Sequence, residues 1–102
     1  MFYNVLKAKD IIELDNDDKI KKATILQNET SALVFVGIKK HEIIDTHTSD
    51  SDTAVMVIDG EIELHFNAEK FKLDKGELLM FKKEKEHKVY ALKDSKFIIF
   101  KV

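Results

Sequence analysis

Polar and apolar residues alternate strictly along Glu61-Ile-Glu-Leu-His-Phe66. At the two-residue period of a strand this puts Ile62, Leu64 and Phe66 on one face and Glu61, Glu63 and His65 on the other. Just before it, Ala54-Val-Met-Val-Ile58 is apolar at every position, so that strand needs cover on both faces. The intervening Asp59-Gly60 tolerates positive φ at both positions and predicts a two-residue hairpin turn. Upstream, Lys19 to Gln27 reads as a strand, Asn28-Glu-Thr-Ser31 as a turn, Ala32 to Ile38 as a second strand, and Glu42 to Asp45 as a lead into the central stretch.

Downstream, Asn67-Ala-Glu69 is a tight connection, Phe71 and Leu73 continue the sheet, and Asp74-Lys-Gly76 turns the chain. Leu78 to Phe81, His87 to Leu92 and Lys96 to Lys101 read as strands, with a charged loop from Lys82 to Glu86. The first ten residues, including Phe2, read as an edge strand or one loose turn. Ile11 to Leu14 is a short apolar tetrad, and Asp15-Asn-Asp-Asp18 is a turn whose side chains bond their own backbone. Many short strands without an amphipathic helix predict an all-β sandwich or barrel.

A chain of 102 residues fits one domain. The expectation is a single domain over 1–102, with 1–18 as an extra edge strand or arm. All seventeen basic residues are Lys and the formal net charge is -2, so the bidentate Arg fork and the basic excess that nucleic acids reward are missing. No Cys is present, which removes disulfides, thiolate metal sites and thiol nucleophiles. No apolar run reaches membrane-spanning length. The expectations are a cytoplasmic protein and no nucleic-acid or membrane partner.

Two stretches, Asp45 to Gly60 and Gly76 to Ala91, resemble the two halves of the cupin signature. The resemblance implies a small jelly-roll barrel, also described as a double-stranded β-helix. The first motif of that family runs His, one residue, His, then Glu, six residues and Gly. Here His47 matches the first His and Gly60 the closing Gly, while Ser49 replaces the second His and Thr53 the Glu. In the second motif Gly76 matches the opening Gly and His87 the His. Lys82 stands for its Pro, Glu84 for its Gly and Ala91 for its Asn. His41 stands at a family Gly that precedes the first motif. Full-motif cupins hold a divalent metal on three His and one Glu, and this chain keeps one His from each half.

By this resemblance His47 and His87 point into one barrel mouth. Two imidazoles suit Zn, Fe, Mn or Ni, but two ligands alone leave most of the coordination shell to water, so the cofactor expectation is none or a weakly held divalent metal. Asp50 or Asp52 offers a carboxylate to complete a two-His-one-carboxylate set. Ser49 and Ser51 read as surface loop serines, and His41 and His65 as surface histidines.

Strand parity gives Thr53, Val55 and Val57 an inward face, with Ile62 and Leu64 from the next strand. The expected ligand-binding set is therefore His47, Thr53, Val55, Val57, Ile62, Leu64 and His87. Ala54, Met56 and Ile58 then point outward, and Phe97 to Phe100 is apolar on both faces. Covering such side chains is worth about 1.5–3 kcal/mol each, which predicts a homodimer packed through these faces unless the amino-terminal residues fold over them. The function expected is a small-molecule binding module without a full metal site. The alternative is a metal-dependent enzyme of dioxygenase, isomerase or epimerase type using His47 and His87. A purely structural partner domain has no specific residue in its favour.

Overall fold

The computed structural model describes residues 3–15 and 17–102, with Thr46 and His47 described by backbone alone. Met1, Phe2 and Asn16, which the readings of the amino terminus and of the Asp15–Asp18 turn include, lie outside the described residues. Nine strands are present among those described: β1 Ile20–Gln27, β2 Ala32–Ile38, β3 Ile43–His47, β4 Thr53–Asp59, β5 Glu61–His65, β6 Lys70–Asp74, β7 Leu78–Phe81, β8 His87–Ala91 and β9 Ser95–Lys101. They form two antiparallel sheets in the orders β1-β2-β9-β4-β7 and β3-β8-β5-β6. The all-β architecture expected from the strand pattern, and the jelly roll that the cupin resemblance implies, are observed.

Local chemistry forms the predicted turns. Asn28 Oδ1 accepts the N–H groups of Thr30 (2.9 Å) and Ser31 (2.8 Å), which folds β1 back on β2. Asp15 Oδ1 accepts those of Asp17 and Asp18, both at 3.1 Å. At Asp74-Lys-Gly76 the N–H of Glu77 donates to the Asp74 carbonyl at 2.9 Å, and Gly76 supplies the φ of 86° that the turn requires.

The Asp59-Gly60 turn corrects the sequence reading. β4 and β5 do not pair as a hairpin; they belong to different sheets. Gly60, at φ 87°, carries the chain across from one sheet to the other. A Cβ there would overlap Ser95 Oγ and the Asp94 carbonyl oxygen, so only Gly allows the close approach. Ser95, fully buried, accepts the Glu61 N–H at 2.9 Å, and its Oγ lies 3.1 Å from the Glu61 carbonyl and 2.7 Å from that of Lys93. The turn residues predicted positive φ correctly, but which sheet the next strand joins depends on this distant serine.

The core lies between the sheets. Val36, Ile38, Val57 and Phe97 from one and Ile62 and Leu64 from the other are fully buried. The outer surfaces differ. On the β3-β8-β5-β6 sheet Glu61 pairs with Lys72 at 3.0 Å and Lys93 at 3.6 Å, and the expected surface residue His65 bonds Glu63 (3.0 Å) and stacks on Tyr90 at 4.7 Å. Lys72 holds the Glu61 carboxyl below its ordinary value. On the five-stranded sheet the outer face is apolar. At one end the amino-terminal segment covers it: after a single 3-10 turn, Ala8–Asp10, Ile12 is buried, and Ile12 and Leu14 occupy the space that a Gly37 side chain would fill.

The barrel's other end is clasped by its loops. Asp52 Oδ1 accepts the N–H of Lys83 at 3.0 Å, the Ser49 carbonyl accepts that of Glu84 at 2.7 Å, and the Asp52 carbonyl accepts that of Val102 at 3.0 Å. Among the described residues two that are not glycine adopt left-handed backbone: exposed His41 at φ 72° and Glu84 at φ 68°. Both stand where the cupin pattern has Gly. Their N–H groups are engaged, His41 with the Ala91 carbonyl at 2.8 Å, so the conformation is held against its local cost.

Two predictions follow from this frame. His41→Gly and Glu84→Gly keep those hydrogen bonds and relieve the Cβ clash, offset in part by greater freedom in the unfolded chain. Each is expected to raise stability by about 0.5–1 kcal/mol and the melting temperature by roughly 2–8 °C; calorimetry showing no rise in either variant would contradict the account. The Asp52 carboxyl is held below its ordinary 3.8, chiefly by the Lys83 N–H. Its charged form is therefore favoured on folding: the contribution is complete above 3.8 and disappears as pH falls through the lowered folded value. In urea unfolding across acid pH, Asp52→Ala is expected to be less stable at neutral pH and to lose less on acidification. Acid limbs that run parallel in the two proteins would remove the clasp's charge from the explanation.

Candidate functional site

His87 opens β8 and is buried, 6% exposed. Its Nδ1 lies 2.9 Å from the carbonyl oxygen of Lys85. A carbonyl has no proton to give, so Nδ1–H is the donor and the neutral ring carries its lone pair on Nε2. Phe81 (4.7 Å between ring centroids) and Phe66 (5.9 Å) flank the imidazole, which fixes its plane. The backbone of β3 brings His47 into register opposite His87. The two positions are thus neighbours across a strand pair, while the side chain of His47 lies outside the described residues.

Ser49 corrects the reading of a surface serine, because it is buried, at 7% exposure. Its Oγ accepts the N–H of Ser51 at 3.2 Å and lies 3.2 Å from Thr53 Oγ1. Thr53 Oγ1 is also 3.1 Å from the Ser51 carbonyl, so its one proton is shared between them. The loop clasp ties the Ser49 carbonyl to the Glu84 N–H, and the hydroxyl is engaged inside by Ser51 and Thr53. Ser51 remains half-buried.

Between the sheets, beside His87, Ser49 and Thr53, lies a partly enclosed cavity of ≈ 140 Å³ with apolar walls that include Val34, Val55, Leu64, Val89 and Phe97. Of the residues expected to meet a ligand, Thr53, Val55, Leu64 and His87 line this space. Val57 and Ile62 do not; both are packed in the core below it. Among the lining residues outside the expected set are two cations, Lys22 and Lys101. The signal that finds them is register: Lys22 pairs with inward Val36, and Lys101 with inward Thr53.

The cupin resemblance implies a divalent metal at this end, so the donor set was compared with what such an ion needs. The two positions that would add His and Glu are Ser49 and Thr53, hydroxyls engaged with each other and with backbone. Neutral hydroxyls are poor replacements for imidazole and carboxylate. The loop carboxylates do not complete a set either. Asp52 is turned to Lys83 and Lys82, and exposed Asp50 takes the Ser51 hydroxyl at 3.4 Å. Neither lines the cavity with His87. These residues do not fit a tightly held metal of the full-motif kind.

No helix among the described residues is long and apolar enough to cross a membrane. No curated protein matches the chain. Solved structures do. A conserved protein of unknown function from Streptococcus pyogenes superposes with a TM-score of 0.90 at 19% identity, covering 100% of this chain and 89% of that one. A cupin superfamily protein from Desulfitobacterium hafniense gives 0.86 at 18% identity over 93% and 85%. An RmlC-like cupin from Desulfovibrio desulfuricans gives 0.79 at 17% over 98% and 93%. At such identities the likeness shows the fold alone. The cupin-domain family model matches residues 34–102, from the middle of β2 through the clasped loops and His87 to the end of the chain, and the protein belongs to the cupin family.

Proposed function

We propose that this cupin is a binding module that holds a small, partly apolar molecule inside its barrel without a full metal site. The observation that carries the reading is the ≈ 140 Å³ cavity with a polar end at Ser49, Thr53 and His87 and apolar walls. A few convergent polar groups in an apolar pocket is the usual form of a small-molecule site. The volume is close to the about 150 Å³ of an engineered apolar cavity that takes up benzene, which limits the ligand to a compact body. His87 serves as the orienting group, with its tautomer set by Lys85 and its plane by Phe66 and Phe81; the His47 position opposite it is the second contact.

The competing reading is a metal-dependent enzyme using His47 and His87. Metal analysis of protein purified without chelator, paired with a thermal-shift screen of small acids, amides and sugars, separates the two. The expected result is substoichiometric metal with stabilisation by a compact ligand, weakened about tenfold or more in His87→Ala. Val55→Leu, which places an extra methylene in the cavity, is expected to fold with stability unchanged or raised by about 0.5–2 kcal/mol and to exclude the ligand. Stoichiometric Zn, Fe, Mn or Ni lost in both His47→Ala and His87→Ala would favour the enzyme instead.

We also propose a homodimer through the outer face of the five-stranded sheet. Register places Leu33, Phe100, Ala54 and Met80 in one row across β2, β9, β4 and β7. Phe100 is 45% and Met80 71% exposed, with Val102 beside them at 57%. The amino-terminal segment covers the Gly37 end of this face and leaves that row open, while the opposite sheet presents ion pairs to water. A contiguous apolar row of this kind marks an interface. Sedimentation is expected to give a dimer at micromolar concentration that dissociates in Met80→Glu and Phe100→Glu; a wild-type monomer would end the proposal.

A further inference from the structure

Lys22 and Lys101 are the unexplained feature of the barrel. Both line the cavity that holds Ser49, Thr53 and His87, and register puts both on the inward side of the five-stranded sheet. Lys101 is half-buried and Lys22 exposed, the usual state of a lysine whose stem contributes to an apolar wall while its ammonium group stays in water. Among the described residues no Asp or Glu lines the same cavity. Among the described residues neither lysine takes part in an ion pair, although Lys21, Lys39, Lys72, Lys82 and Lys93 all do.

An inward charge on an edge strand is a known guard against edge-to-edge aggregation, and Lys22 on β1 satisfies that description. Lys101 does not. It lies on β9, paired on one side with Ala32 of β2 and on the other with Thr53 of β4, where there is no edge to guard. Two cations sharing one apolar-walled space repel, and an anion seated between them removes the repulsion.

We infer that the barrel's ligand is an anion, a compact carboxylate whose charged end sits between Lys22 and Lys101 beside Ser49, Thr53 and His87, with its hydrocarbon end against Val55 and Leu64. This rests on the barrel-ligand reading above and adds the chemical class. The Ser49 hydroxyl, whose own proton is not used by the bonds it accepts, and the two ammonium groups supply donors to carboxylate oxygens, bonds stronger than those a neutral amide would receive. The small volume excludes long chains and sugars larger than one ring.

The test uses the full chain and matched probes: isovalerate and benzoate, their amides, and isopentylamine. Binding is followed by calorimetry and by the methyl resonances of Val55, Leu64 and Val89. The expected result is that a carboxylate binds at least about tenfold more tightly than its amide, that the amine does not bind, and that Lys101→Met and Lys22→Met each cut the preference for the acid. Met keeps the apolar stem, and loss of one of two like charges favours folding. Acid and amide binding equally, or a preference untouched in both Met variants, overturns the anion inference and leaves the barrel as a neutral-ligand site. Methyl resonances that move with none of the probes overturn the barrel-ligand reading itself, and this inference with it.

Discussion

One buried hydroxyl sets the shape of this barrel. Ser95 bonds to both backbone groups of Glu61 across thirty-four positions of sequence, at the point where Gly60 moves the chain from one sheet to the other. Because Gly60 brings backbone against Ser95 with no room for a side chain, β4 and β5 leave the same corner in different sheets. Their inward faces therefore oppose each other across the core. Val57 and Ile62, on either side of the crossing, are consequently the tightly packed floor beneath the cavity and not its wall. Space opens only farther along the same strands, at Val55 and Leu64.

The far end is built on weaker bonds. There the β3–β4 and β7–β8 loops are joined by single hydrogen bonds from Glu84 to Ser49 and from Lys83 to Asp52, the second of them exposed to water. A barrel closed by a buried serine at one end and by a solvent-exposed clasp at the other has a definite direction of access. The polar residues gather at the clasped end, and Ser49 belongs to both the clasp and the cavity. Its carbonyl takes the Glu84 N–H, and its hydroxyl takes the Ser51 N–H and Thr53 Oγ1 beside the ligand space.

Much of the fold was legible because burial on one face imposes a two-residue period. Glu61 to His65 alternates in sequence and is alternately half-buried and buried in the barrel; Ala32 to Ile38 and Leu78 to Phe81 have the observed limits. What was not legible is what depends on partners distant in sequence. Asp59-Gly60 announces a tight turn, but a dipeptide carries no information about Ser95. Ser49 is an ordinary loop residue until Glu84 captures its carbonyl. Lys22 lies in a strand whose register shifts between Thr24 and Leu26, so counting from Ile25 assigns it to the wrong face. The cupin motif spacing singled out His87, which opens β8 and is buried, and marked His41 and Glu84 as positions for Gly; their left-handed backbone is the geometry that preference serves.

The changes at the barrel mouth form one pattern. In the family pattern, a cation is held by anionic and neutral donors at the positions of Ser49, Thr53 and the two histidines. Here the carboxylate of that set is a hydroxyl, and two lysines line the cavity. Loss of the acidic ligand alone would leave a site of indifferent charge, suited to a neutral molecule. On the inference that the ligand is an anion, loss of the acid and the presence of two inward lysines act in the same direction, because the field inside a low-dielectric cavity is decided by the few charges that face it.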